Sequence, residues 1–212
     1  MSLYGHLTSI SSLLIIKILN LSPITKTEKS SSSITTSSIT NSTSTTFENY
    51  LISGSTDGMI RIWDMKNGNC LFVLTEHTNA IQNLIYYSQT KLLISSSLDE
   101  TIRIWDLSPK PKNKVSSKEL MRSLKTIPCK GSTGVGIIDS LLIIGGVGSL
   151  SLYSLSTFYE VKKIVFESPD QKGFDPSLII NRIMTHDMGI VFDYGRRIKV
   201  FHFSEMPVKK KQ

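Results

Sequence analysis

Ser95, His77 and Asp99 are the side chains of this 212-residue chain best suited to nucleophilic chemistry. A hydroxyl, an imidazole and a carboxylate are the set by which a hydrolase activates serine. Such a nucleophile must be reachable, with donors nearby for an oxyanion, and the GxSxG elbow that often presents one is absent. Gly131-Ser132-Thr133-Gly134-Val135-Gly136 has the glycines of a phosphate loop. It lacks the Gly-Lys-Ser/Thr ending and no helical pattern follows, so it reads as a loop between repeats. His186 and His202 have no ligand-type neighbours at metal spacing. Cys70 and Cys129 show neither CxxC spacing nor a disulfide framework. The expectation is no catalytic residue, no metal and no cofactor, and Ser95, His77 and Asp99 need a structural explanation.

The elements that hold them repeat. Ile60-Arg61-Ile62-Trp63-Asp64 returns 42 residues later as Ile102-Arg103-Ile104-Trp105-Asp106. Upstream, Tyr50 to Asp57 aligns at the same offset with Leu92 to Asp99. Short β-branched runs at Ile81–Tyr86, Leu92–Ser96 and Thr101–Asp106, parted by turn residues, are strand chemistry. A fourth strand follows each Trp-Asp, at Cys70–Leu74 and at Met121–Ile127. Two weaker units come next, with Tyr153 and Phe201 in the Trp place. The aromatic positions 63, 105, 153 and 201 are spaced 42, 48 and 48.

A repeat of this length ending in Trp-Asp resembles the WD40 family. The resemblance implies an all-β propeller of about four blades of four-stranded antiparallel sheet, over about residues 5–74, 77–127, 131–166 and 176–203. It also implies that His77, Ser95, Asp99 and Trp105, and likewise His6, Ser53, Asp57 and Trp63, form buried hydrogen-bonded tetrads that stiffen each blade. WD40 rings usually close at about seven blades, near 300 residues. The expectation is therefore an incomplete or open propeller: a fragment, or a half completed by a partner chain. Trp63-Asp64-Met65-Lys66 resembles the Trp-Asp-x-Arg motif that docks on a ubiquitin-ligase adaptor, with Lys66 in place of Arg. Lys is not a forked donor. Gly195-Arg196-Arg197 resembles the paired arginines of phosphoinositide-binding propellers but lacks the Phe-Arg-Arg-Gly order.

Two insertions interrupt the repeat. Residues 22–46, nearly all Ser and Thr from Ser30, have too little apolar surface to order and read as a disordered loop within the first blade. Residues 108–118 are rich in Lys and Pro, and residues 204–212 form a basic tail. WD40 connectivity sends both insertions to one face, with Lys66, Lys91, Lys110, Lys112, Lys114 and Lys118. The tetrad-side loops carry Asp57, Glu76, Asp99 and Glu100. With a net charge of +7, the lysine face is a candidate for binding an acidic partner, the alternative being that its lysines only solvate the loops. The apolar run Leu13–Leu19 is too short to span a bilayer and has no basic segment before it, so the chain is expected in the cytoplasm or nucleus.

The expected role is a non-catalytic protein–protein interaction scaffold in a larger assembly. Alternatives are the targeting or substrate-recognition propeller of a longer WD40-containing kinase or ubiquitin ligase, and binding of the basic face to anionic lipid or nucleic acid. The lysine-rich stretch has no interleaved aromatics for base stacking.

Overall fold

A computed structural model of the chain describes residues 3–19, 47–108, 122–131, 133–166, 179–187, 189–194 and 197–202. The Ser/Thr tract, Lys110 to Lys118, Gly195-Arg196 and the basic tail lie outside the described residues.

All regular structure among the described residues is β, in four antiparallel sheets. The first holds β1 (Ile10–Leu19), β2 (Phe47–Ser55), β3 (Ile60–Asp64) and β4 (Cys70–Leu74) in chain order. The second holds β5 (Ile81–Tyr87), β6 (Leu92–Ser97), β7 (Thr101–Asp106) and β8 (Ser123–Pro128). The third holds β9 (Val135–Ile138), β10 (Leu141–Gly145), β11 (Ser149–Ser154) and β12 (Glu160–Val165). The fourth has three described strands, β13 (Ile183–His186), β14 (Gly189–Tyr194) and β15 (Arg197–His202). None of the described structure is a helix long and apolar enough to cross a membrane.

Register explains the repeated pentapeptide. Leu93 pairs with Trp105 and Ile94 with Ile104, so alternate residues of β6 and β7 share opposite faces. Leu51–Trp63 and Ile52–Ile62 repeat this in the first sheet. Both faces must be apolar because the second sheet is covered on each side. Its Trp105 face meets the first sheet in a core that includes Ile16, Ile52, Ile62, Leu84 and Leu93. Its Ile104 face meets the third sheet in a core with Ile94, Val135 and Leu142. The third and fourth sheets share Ile143, Leu150, Ile190 and Phe192, beside a cluster of Phe166, Phe192 and Phe201 rings. The first strand of each sheet packs on the next, β1 on β5, β5 on β9 and β9 on β13. No comparable packing joins β13 to β1 among the described residues.

The sequence pattern places a strand from Leu178 to Met184, but regular pairing begins at Ile183. Residues 179–182 direct much of their polar backbone elsewhere. Ile179 bridges Val147, the Ile180 carbonyl accepts the Gly134 N–H, and the amides of Asn181 and Arg182 donate to Asp193 Oδ1. In this strap the Arg182 carbonyl still accepts the Asp193 N–H of β14, but the Asn181 and Arg182 amides are taken by the Asp193 side chain, so regular pairing stops there.

Candidate functional site

The second sheet brings Ser95, His77, Asp99 and Trp105 together. Ser95 is central on β6, Trp105 crosses from β7, Asp99 sits in the β6–β7 turn and His77 in the link from the first sheet. Trp105 Nε1 donates to Ser95 Oγ at 2.9 Å, His77 Nε2 lies 2.8 Å from Ser95 Oγ, and His77 Nδ1 lies 2.7 Å from Asp99 Oδ2. With Asp99 ionised, Nδ1–H donates to the carboxylate, so Nε2 accepts the serine proton. That proton order is the one a serine hydrolase uses. Two features oppose catalysis: Ser95 is 0% exposed, and the Trp105 N–H occupies a lone pair that an attacking oxygen would need.

The first sheet repeats the set more loosely. Trp63 Nε1 donates to Ser53 Oγ at 2.8 Å and His6 Nε2 lies 2.7 Å from the same oxygen. His6 Nδ1 stands 3.7 Å from Asp57 Oδ2, an ion-pair distance too long for a hydrogen bond, and its buried ring nitrogen has no hydrogen-bond partner. The difference has a local cause. Thr101 Oγ1 donates to Asp99 Oδ1 at 2.6 Å and braces it against His77, whereas Met59, in the same place, has no hydroxyl to offer.

Burial pushes the imidazole of His77 below its ordinary value, and the hydrogen bond and charge of Asp99 oppose this without overcoming it. His6 is lowered for the same first reason. Burial pushes Asp99 up, but hydrogen bonds from Thr101, His77 and the Thr78 amide outweigh it and hold the carboxyl below its usual range. Both shifts make the unfolded chain bind more protons than the folded one, so acid destabilises. The histidine contribution is complete above 6.5 and is lost as pH falls from there toward the lowered folded values. The Asp99 contribution follows below 3.8. Urea midpoints are therefore expected to fall on acidification from neutrality, and replacing His6 and His77 with Gln is expected to flatten the upper part of that slope. A midpoint that rises toward acid would contradict the arrangement.

One polar cluster escapes the sequence reading. Arg103 donates to Glu76, which also accepts the Ser123 hydroxyl at 2.6 Å and the Ser123 amide at 3.1 Å. Burial raises the Glu76 carboxyl, and the two Ser123 hydrogen bonds with Arg103 more than reverse it. This clasp ties the link between sheets to β7 and β8. Its only signal in the sequence was an arginine between the two isoleucines of each pentapeptide. Arg61, the matching residue, has no acidic partner among the described residues, and its buried Nε is unpaired. The acid of each Trp-Asp caps the following turn: Asp64 Oδ1 accepts the Lys66 amide and Asp106 Oδ1 the Ser108 amide.

The loops divide between two ends. Three backbone contacts recur on one end, Met65 N–H to Asn49, Leu107 N–H to Lys91 and Leu155 N–H to Ser140. On the other end Thr56 and Leu98 donate to Ser9 and Ala80. Lys66, exposed, and Lys91, half-buried with φ 58°, belong to the first end, opposite His77 and Asp99. Lys110, Lys112, Lys114 and Lys118 lie outside the described residues. Cys70 is exposed, whereas burial pushes the Cys129 thiol up to about 12.

The family model described as "WD domain, G-beta repeat" matches residues 24–64 and 68–106. The chain carries two WD40 repeats. Both matches end at the Asp of a Trp-Asp pair. Among curated relatives, the chain is 48% identical over 38 residues to the CCR4-associated factor 4 homolog of Vanderwaltozyma polyspora. It is 51% identical over 38 residues to the Lissencephaly-1 homolog of Glossina morsitans morsitans. Each stretch is 18% of this chain, and the two make up 6% and 9% of those proteins, so the chain spans less than a tenth of either. Among solved structures it resembles the computationally designed Ika4 protein with a TM-score of 0.57 and 16% identity, over 95% of both chains. The designed Ika8 protein matches with a TM-score of 0.56 and 16% identity over 95% of this chain and 48% of that one. At that identity the likeness shows the fold alone.

Proposed function

We propose that this WD40 chain is a non-catalytic scaffold that presents the loops at its sheet ends to protein partners in a larger assembly. The observation that carries this reading is the sealed serine: Ser95 is wholly buried, with its oxygen held by Trp105 and His77. An arrangement with a hydrolase's residues and no access serves rigidity, because a satisfied buried polar chain specifies one packing. Recognition then falls to the loops. The end with Lys66 and Lys91, where β7 leaves its sheet for the lysine-rich sequence 108–118, favours an acidic protein surface.

Replacing Lys110, Lys112, Lys114 and Lys118 together with Ser is expected to weaken binding to an acidic peptide by about tenfold or more at low salt, and to flatten its salt dependence. Unchanged affinity and salt slope would remove the lysine face from the reading. Tighter, steeply salt-dependent binding to anionic vesicles or RNA than to the peptide would replace the protein partner with one of those.

A further inference from the structure

Each sheet contact in this chain joins the same two kinds of face. The face bearing Ile52 and Ile62 in the first sheet covers the face bearing Leu84, Leu93 and Trp105 in the second. The Ile94 and Ile104 face of the second covers Leu142 and Tyr153 of the third, and the Ile143 face of the third covers Ile190 and Phe201 of the fourth. Two faces are left over, one of each kind. On the first sheet, Leu13 and Ile15 stand where Leu84 and Tyr86 stand on the second, by their pairing with Ser53 and Leu51. Leu13 is 61% and Ile15 63% exposed, against 8% for Leu84. On the fourth sheet, Ile198 and Val200 stand where Ile102 and Ile104 stand, by the matching of Phe201 to Trp105. They are 76% and 51% exposed, and Met184 beside them is 73% exposed, whereas Ile102 and Ile104 are buried.

We propose that two copies of this chain close on each other, the Ile198–Val200 face of each docking on the Leu13–Ile15 face of the other. The leftover faces are complementary in kind: aliphatic residues on one, and on the other the same kind of aliphatic and aromatic surface that such residues cover in the three internal contacts. Because the contact joins unlike faces, it closes only as a ring, and the smallest ring makes it twice across a two-fold axis. A closed pair leaves neither face in water, whereas a one-way stack keeps both faces exposed at its ends. The cleft beside Leu13, lined by Tyr4, His6, Ile10, Leu51 and Trp63, has a volume of about 170 Å³ and opens on this face, ready to take a side chain. Extension of the same arrangement is compatible with the fold, since it fills only half of the longer designed chain.

The test is the mass of the full chain in solution by sedimentation at micromolar concentration. The wild-type chain is expected at twice 23.7 kDa. Ile15→Lys and Val200→Glu, both at exposed positions and expected to leave the single copy's strand signal in circular dichroism unchanged, are each expected to weaken association by about a hundredfold, since each puts an unpaired charge into a closed interface. Mixed in equal amounts they are expected to return to the doubled mass, because one of the two contacts is then wild type and the other pairs Lys with Glu. A wild-type monomer would overturn the proposal and leave the two faces to another protein or to further chain. Species that grow without limit, a dimer indifferent to both variants, or a mixture that stays monomeric would overturn it as well.

Discussion

Trp105→Ala is expected to cost about 3–5 kcal/mol of folding stability, the range for deleting a large buried aromatic. Trp105 is fully buried and packs in the core between the first two sheets, so the cavity opens between them. The same change strips Ser95 of a donor in a site that water does not reach. Trp105→Phe separates the two effects. It keeps most of the volume and loses only the N–H, at about 1–3 kcal/mol. The chain has two tryptophans, so Trp63 remains as a fluorescence probe in both variants. A urea midpoint for Trp105→Ala within about 1 kcal/mol of wild type would mean that this core does not hold the sheets together.

Gly145→Val comes next, at about 3 kcal/mol, the upper end for overpacking. A Cβ on Gly145 would stand 2.6 Å from the Ile180 carbonyl oxygen and 2.9 Å from the Ile180 Cβ. The oxygen belongs to backbone that already accepts the Gly134 N–H, and Ile180 is fully buried, so neither neighbour has room to yield. Gly145 does not have a positive φ, so the cost is steric and falls on the contact between the third and fourth sheets. Denaturation monitored by hydrogen exchange should show β13 to β15 losing protection before β5 to β8. Loss of protection spread evenly over all four sheets would mean the strap does not act locally.

The first two sheets were legible because a pentapeptide with alternating faces and a fixed 42-residue offset states strand, register and burial together. Tyr153 and Phe201 carried the pattern into the third and fourth sheets, where each lies opposite the residue equivalent to Leu93. The strap at 179–182 was not legible, because its bonds reach Gly134 and Asp193 and no local pattern encodes them. The same holds for Glu76, whose partners Arg103 and Ser123 arrive from two later strands. The two Ser-His-Asp-Trp sets look equal in sequence. They differ in the structure because a residue outside the motif, Thr101 in one and Met59 in the other, decides whether the carboxylate is braced.

The link between β1 and β2 has a kinetic consequence. β1 pairs with β2 across residues 20–46, whereas β5 reaches β6 across residues 88–91. Loop closure costs about 0.6 kcal/mol per doubling of length, so the longer link charges β1 about 2 kcal/mol more before any contact repays it. Hairpins with short connections form first, and distant pairings follow. β1 is therefore the last strand of its sheet to arrive and the first to leave. Cleavage within 20–46 would leave it held by noncovalent contacts alone, as a separable peptide whose rebinding could be timed.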